Sequence, residues 1–245
     1  MAGPDISIVV PARNEEKNIP ELVKEITGVF SKTRFSYELI LVDDNSTDST
    51  PEICDSATRS SKPVRCVHRI PPPGFGRAIK DGLRASRGKV VVIAMGDRSD
   101  QPEDILTVAK KALSGTGVAY GSRFIRPGLI IGYPQEKMLF NRIFNSVARL
   151  LLRMPEKDIT NAFKAYRREV LDAIGISSLK STGFDLTIEL PVRAHLLGFS
   201  SAEVPVRWFG RRAGIAKMNA FKVGIPYGLR LLDLLALEYT GRSWW

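Results

Sequence analysis

The stretch "VVVIAMGDRSDQPEDI", Val90 to Ile105, decides the fold. Its first six residues are apolar and mostly β-branched, which reads as a strand buried on both faces. At Gly96 the run breaks into a knot of acids, Asp97, Asp100, Glu103 and Asp104, interrupted by Pro102. Carboxylates at the mouth of a buried strand are costly unless something there compensates their charge.

The same punctuation recurs along the chain. "ISIVV" (6–10), "ELILV" (38–42), "VRCVH" (64–68) and "VAYGS" (118–122) are further short strand-like runs bounded by turn residues. Helical spacing lies between them: Ile19, Leu22, Val23, Ile26, Val29 and Phe30 make one apolar stripe, and Ala78, Ile79, Leu83 and Ala85 another. Strands alternating with helices predict an α/β fold with a mostly parallel sheet covered on both faces. In such sheets the ligand crevice lies off the carboxyl ends of the strands.

That rule says which loops meet. "PARNE" (11–15), "DDNSTDST" (43–50), "RIPPPGFGRA" (69–78) and "GDRSDQP" (96–102) each follow a strand and converge on one rim. Singly, each also reads as a helix cap or a turn. No GxxxxGK[ST] is present and "GFG" is too short for a dinucleotide fingerprint, so neither phosphate-cradle motif applies. Acids around a diphosphate repel it unless a divalent cation intervenes, so Asp97 is expected to help hold Mg²⁺ or Mn²⁺ with substrate phosphates.

The rest of the composition sets bounds. A formal charge of +10 over 245 residues favours an anionic partner, or is an ordinary basic surface. Nucleic acid is the weakest such partner, because the basic residues keep company with apolar stripes rather than stacking aromatics. Cys54 and Cys66 lack metal-like spacing and suggest a reduced, intracellular setting. "MAGPDISIVV" has no signal-peptide pattern, and no window is apolar for the roughly 18 residues a spanning helix needs. His68 and His195 read as satisfied or exposed imidazoles, and Pro191 falls early in a helix, where it is best tolerated.

"ISIVVPARNEEKNIPELV", "YELILVDDNSTDST", "GFGRAIKDGLRASRGKVVVIAMGDRSDQP" and "GSRF" resemble, in order and spacing, family 2 glycosyltransferases with the GT-A fold. Through "LLRMPEKDITNAFKAYRREVL", "STGFDLTIELPVRAHLLGF" and "EVPVRWFGRRAGIAKM" the resemblance extends to the dolichol-phosphate mannose synthase group and covers nearly the whole chain. It implies that Pro11, Arg13 and Glu15 border a nucleotide, that Asp43 reads the base, and that Gly76 and Arg77 close over it. Asp97 takes the last position of the family's DXD metal motif. The chain departs from the pattern at Met95, where the family begins that motif with Asp, and at Ser99, where it has Gln. Met is no ligand for a hard cation, so Asp97 is expected to act with Asp100 or water.

A phosphate acceptor needs cations rather than a base, because its oxygen is already an anionic nucleophile. The resemblance supplies Arg123, Arg142, Arg211 and Lys217, with a solvated basic face as the alternative. A hydroxyl acceptor would instead need a base, for which Asp185 is the candidate. "KMLFNRIFNSVARLLLRM" (137–154) puts Phe140, Ile143, Phe144, Val147 and Leu151 on one helical face, which suits a membrane interface or a core contact. The Leu-rich tail ends in Trp244 and Trp245, which suit a membrane interface or a dimer contact.

The sequence therefore leads to a catalytic domain over 1–218, with a nucleotide-sugar half (1–123) and an acceptor half (124–218), and an amphipathic, membrane-facing extension over 219–245. The expected activity is inverting transfer of a hexose, with GDP-mannose the donor the resemblance implies, to a polyprenyl phosphate at the cytoplasmic face of a membrane. A transferase with a soluble acceptor and a non-catalytic nucleotide-sugar binder remain as alternatives.

Overall fold

A computed structural model describes residues 3–214 and 220–241. The first half alternates as expected: β1 (Ile6–Ala12), α1 (Ile19–Phe30), β2 (Tyr37–Asp43), α2 (Thr50–Ser60), β3 (Val64–His68), α3 (Phe75–Ala85), β4 (Val90–Ile93), α4 (Pro102–Leu113) and β5 (Val118–Ser122). There follow β6 (Leu129–Ile131), α5 (Gln135–Leu151), β7 (Lys164–Arg167), α6 (Arg168–Ile174), α7 (Leu186–Leu196), β8 (Ser201–Pro205), β9 (Arg207–Phe209) and α8 (Ala220–Thr240).

Among the described residues, seven strands form one sheet in the order β3-β2-β1-β4-β7-β5-β8. All pairs are parallel except those of β7, which runs antiparallel between β4 and β5. β6 and β9 pair in parallel as a separate ribbon. The strand period of two sorts β1 between two cores. Ile6, Ile8 and Val10 face α1, α2 and α4, whereas Val9 joins the cluster containing α3, α6 and α7 residues. Burial on both faces is why these strands read as unbroken apolar runs.

Register then places the site. β1 and β2 run side by side from Ile6↔Tyr37 to Ala12↔Asp43, and β2 continues to β3 through Asp43↔His68. β4 ends at Ile93, two residues earlier than its apolar run, because Ala94 and Met95 already turn toward the rim. The turn needs Gly96: a Cβ there would lie 2.8 Å from the Pro11 carbonyl oxygen.

The tail is more integrated than an appended extension. α8 lends Tyr227, Leu231 and Leu234 to the main core, and its Tyr227 hydroxyl lies 2.6 Å from Thr187 on α7. Its other face exposes Ile225, Leu229, Leu232 and Tyr239. α5 buries only a narrow strip, Asn145 and Ala148 with Leu152 just beyond its end, and exposes Leu139, Phe140, Ile143, Val147 and Leu150. Among the described residues, no helix is long and apolar enough to cross a membrane.

Candidate active site

The rim off β1, β2 and β4 gathers the expected acids. Glu15 is buried and receives both Asn18 Nδ2 (2.7 Å) and Arg211 Nη1, at 2.8 Å from each carboxylate oxygen. Its backbone N–H donates to Thr50 Oγ1 at 2.8 Å, which ties the loop after β1 to the start of α2. Pro11 is buried next to the last residue of β1, and Arg13 is exposed just beyond the strand. Asp43 is buried, with Oδ1 accepting the Ser46 N–H at 3.1 Å and Oδ2 lying 3.2 Å from His68 Nδ1. The hydrogen bond to Asp55, helped by Asp43, pushes the His68 imidazole up to about 9.

Asp97 stands at the centre of this rim, partly exposed. Its Oδ1 accepts the Ser99 N–H at 3.1 Å, and its Oδ2 lies 3.4 Å from Arg211 Nη2. The loop that carries it is held from three sides. Arg98, in a left-handed conformation, pairs with Glu25; the Phe209 N–H donates to the Ser99 carbonyl; and Arg207 grips Asp104. A single carboxylate on a braced loop, open toward the rim, fits a hard cation whose other ligands are phosphate oxygens and water.

Three expectations need correction here. Asp100 is turned inward: it is buried, accepts the Met95 N–H at 2.9 Å, and burial pushes its carboxyl up to about 7. It braces the loop from within, and its carboxylate is not presented beside Asp97 on the rim. Gly76 is no lid, since it sits in the first turn of α3, where a Cβ would lie 2.7 Å from the Gly183 oxygen. Arg77 Nη1 is likewise held on the Pro73 carbonyl at 3.2 Å. The segment that reaches Glu15 and Asp97 is 210–214, where Arg211 bridges the two acids and the Asn18 amide holds the Ala213 carbonyl at 3.2 Å.

Arg211 is thus engaged with the acids of the rim, and it is not among the residues that line the cavity of Arg142. The third correction concerns Arg123, which is not a free phosphate fork. Asp158 takes its Nε and Nη2, both at 2.8 Å, and its backbone N–H at 2.9 Å. Burial opposes this charge, but the Asp158 carboxylate outweighs it and raises the Arg123 pKa. The guanidinium lies 5.3 Å from the centre of the Phe124 ring, and Arg142 lies over the same ring at 5.2 Å. Arg142 is exposed and shares a cavity of about 250 Å³ with Phe124, Ser146, Arg149 and Lys157. Lys217 lies outside the described residues.

Asp185 precedes α7, with Oδ1 accepting the Gly183 N–H at 3.0 Å and Oδ2 lying 3.6 Å from Arg230 of α8. It is buried and partnered, a poor position for an exposed base. Arg149 and Lys157 also line the cavity of Arg142, and sequence reasoning did not place them there. Spacing could have found Arg149, about two helical turns from Arg142 on the same face, whereas Lys157 reaches the cavity only by tertiary folding. A larger cavity of about 360 Å³, lined by Ile174, Arg193, Leu196 and Leu237 among others, sits at the far end of α7 from Asp185. That end is roughly 16 Å away along the helix, so this cavity takes no part in the rim.

The chain matches Glycosyl transferase family 2 over residues 7–175. The polyprenol monophosphomannose synthase of Mycolicibacterium smegmatis is 31% identical over 220 residues, which cover 88% of this chain and 82% of that protein. The undecaprenyl-phosphate mannosyltransferase of Micrococcus luteus is 27% identical over 219 residues, covering 88% of each. Among solved structures, glucosyl-3-phosphoglycerate synthase from Mycobacterium tuberculosis with Mn²⁺, UDP and glucosyl-3-phosphoglycerate superposes with a TM-score of 0.70 at 22% identity. That superposition covers 98% of this chain and 82% of the other, and it bears on the fold alone. With the family matched through both halves of the rim, the chain belongs to glycosyl transferase family 2 and is a glycosyltransferase of the dolichol-phosphate mannose synthase-like kind, built on the GT-A fold.

Proposed function

We propose that this enzyme transfers mannose from GDP-mannose to a polyprenyl phosphate, with inversion, at a membrane surface. The observation that carries the acceptor class is the basic cavity of Arg142, Arg149 and Lys157 lying beside the exposed apolar face of α5. A phosphate head and a hydrocarbon tail ask for those two surfaces side by side. The relatives named for polyprenol and undecaprenyl phosphate support the same reading.

The donor diphosphate would lie against Asp97, with Asp43 toward the base and Glu15 and Arg211 closing the rim. Mg²⁺ or Mn²⁺, held by Asp97, would supply positive charge to the leaving diphosphate. An acceptor phosphate oxygen attacks the anomeric carbon as the bond from that carbon to the diphosphate oxygen breaks, releasing the nucleoside diphosphate. Arg142, Arg149 and Lys157 hold the acceptor phosphate, and Arg123, fixed by Asp158, shapes the wall they stand on. No proton leaves the acceptor, so no base is required.

This reading gives Asp185 a supporting place. Asp185→Asn should retain transfer to a polyprenyl phosphate within about fivefold, since a neutral amide still accepts the Gly183 N–H. Complete loss in a folded variant, measured against both phosphate and hydroxyl acceptors, would favour a hydroxyl acceptor and a general base. Arg211→Ala removes the bridge over Asp97 and Glu15. Charged hydrogen bonds contribute about 1.5–3 kcal/mol, so kcat/KM for the sugar nucleotide should fall roughly 10–100-fold. Arg211→Lys should recover only part of this, because one ammonium lacks the guanidinium's fork.

The membrane partner is a surface rather than a span. Leu150 is 78% and Phe140 73% exposed, with Arg142, Arg149 and Arg153 close by on the same segment. Phe140→Glu with Leu150→Glu should abolish co-sedimentation with anionic vesicles and leave turnover of a short, detergent-soluble acceptor nearly intact. Equal sedimentation of both proteins would remove α5 from the membrane contact. Attachment from the cytoplasmic side suits the free thiols of Cys54 and Cys66.

A further inference from the structure

We propose that Asp55, Cys66 and His68 form a site for a zinc-class divalent cation at the edge of the sheet, beside Asp43 and separate from the Asp97 site. The sequence spacing hides it, because only two of the donors share a strand. Cys66 and His68 are two residues apart on β3 and so face the same side, toward α2. The packing of α2 on that side brings Asp55, so that carboxylate, thiol and imidazole donor atoms all lie within 4.8 Å of one another.

The separations are close to those a tetrahedral ion needs. Zinc bonds of about 2.0–2.3 Å put neighbouring ligand atoms roughly 3.3–3.8 Å apart. Here one donor atom from each residue lies within 4.8 Å of the others, with Asp55 Oδ1 3.0 Å from His68 Nε2, a spacing that small side-chain rotations bring to the tetrahedral range. Asp55 and His68 have side chains 52% and 42% exposed, so they can adjust by rotation and an ion can reach them. A thiolate, an imidazole and a carboxylate suit zinc and its neighbours, and exclude magnesium.

The surroundings support the same assignment. A histidine that binds a metal through one nitrogen typically donates its other N–H to a carboxylate. Asp43 Oδ2 is placed to accept from His68 Nδ1, which directs Nε2 toward Asp55. Three protein ligands leave a fourth position for water. His68 ends β3 and Asp97 follows β4, three strand positions away, or roughly 14 Å. A cation here would pin α2 to β3 and fix the ring against which Asp43 rests, whatever sugar the enzyme transfers.

The test is titration of the full chain, in a phosphine reductant, with Co²⁺ followed by competition with Zn²⁺. One equivalent should bind and give the near-ultraviolet charge-transfer absorption of a cobalt–thiolate bond, and Zn²⁺ should displace it. Cys66→Ser should remove that band. Asp55→Asn, a change at an exposed side chain that leaves the fold intact by circular dichroism, should weaken binding about tenfold or more. Asp97→Ala should leave both band and affinity unchanged. Cobalt binding without the thiolate band, equal affinity in Cys66→Ser, or loss of the band in Asp97→Ala would each overturn the proposal.

Discussion

Replacing Asp97 with Ala is expected to lower kcat/KM for sugar transfer by about 10²–10³-fold, the scale of losing one group aimed at charge that develops in the transition state. Asp97 is the acid that the braced loop presents at the centre of the rim, where Met95 can offer no oxygen to a hard cation. Asp97→Asn keeps the shape and can still accept the Ser99 N–H, yet removes the charge, so it should fail almost as badly. The affinity for Mn²⁺, followed by electron paramagnetic resonance in the presence of nucleoside diphosphate, should fall in parallel. Asp100→Asn provides the contrast. Its carboxyl is buried against the Met95 N–H, so Mn²⁺ affinity should stay near that of the parent protein. A large loss in Asp100→Asn alone would return Asp100 to the metal.

Asp158→Ala is expected to destabilise the fold by about 3–5 kcal/mol, because it leaves the Arg123 charge buried without a partner. Among the described charged residues only Lys164 and Glu189 are as completely enclosed: the Asp158 side chain has no exposure, and it accepts three hydrogen bonds from Arg123 alone. Lys164 adds to the burden. It is buried in the middle of the sheet, donating to the Asn161 and Thr187 carbonyls, and burial pushes its ammonium down to about 7. Asp158 is the larger of the two nearby negative charges that favour it, Glu156 being the other. Urea unfolding of Asp158→Ala with an unchanged m-value would check the figure. The double replacement Arg123→Met, Asp158→Leu should regain much of the stability, since a buried pair exchanged for apolar groups is often tolerated. It should not regain activity, because Arg142 would lose the wall formed by Arg123 and Phe124. A loss below about 1 kcal/mol in Asp158→Ala would show that Arg123 finds another partner or water.

How far this could be read from the sequence depends on the range of the interactions. The alternation of β1 to β5 was legible because each strand is an apolar run buried on both faces. The meeting of Glu15, Asp43 and Asp97 was legible because parallel strands deliver all their carboxyl ends to one rim. β7 was not, since "KAYR" is four residues long and half cationic, and only its seat between β4 and β5 makes it a strand. Arg123 looked like a free cation for the same reason that Asp158 looked like a loop acid: their pairing spans 35 residues. The helix at α5 allowed two readings, a core contact or a membrane interface, and the core contact accounts for only part of it. Ala148 and Asn145 pack inward, while Phe140, Ile143 and Leu150 stay in solvent. Periodicity reports an apolar face without saying what covers it. The two cysteines had no metal-like spacing, and the third donor beside Cys66, Asp55, comes from a different element.

The central claim is the joining of a nucleotide-sugar rim to an amphipathic acceptor, and its most direct test is transfer of labelled mannose from GDP-mannose to a short polyprenyl phosphate in detergent. The enzyme should produce organic-phase label that disappears with EDTA, in Asp97→Ala, and when Arg142 and Arg149 are both replaced by Ala. Label appearing only in water-soluble acceptors, or no lipid product from GDP-mannose or any UDP-sugar, would contradict it.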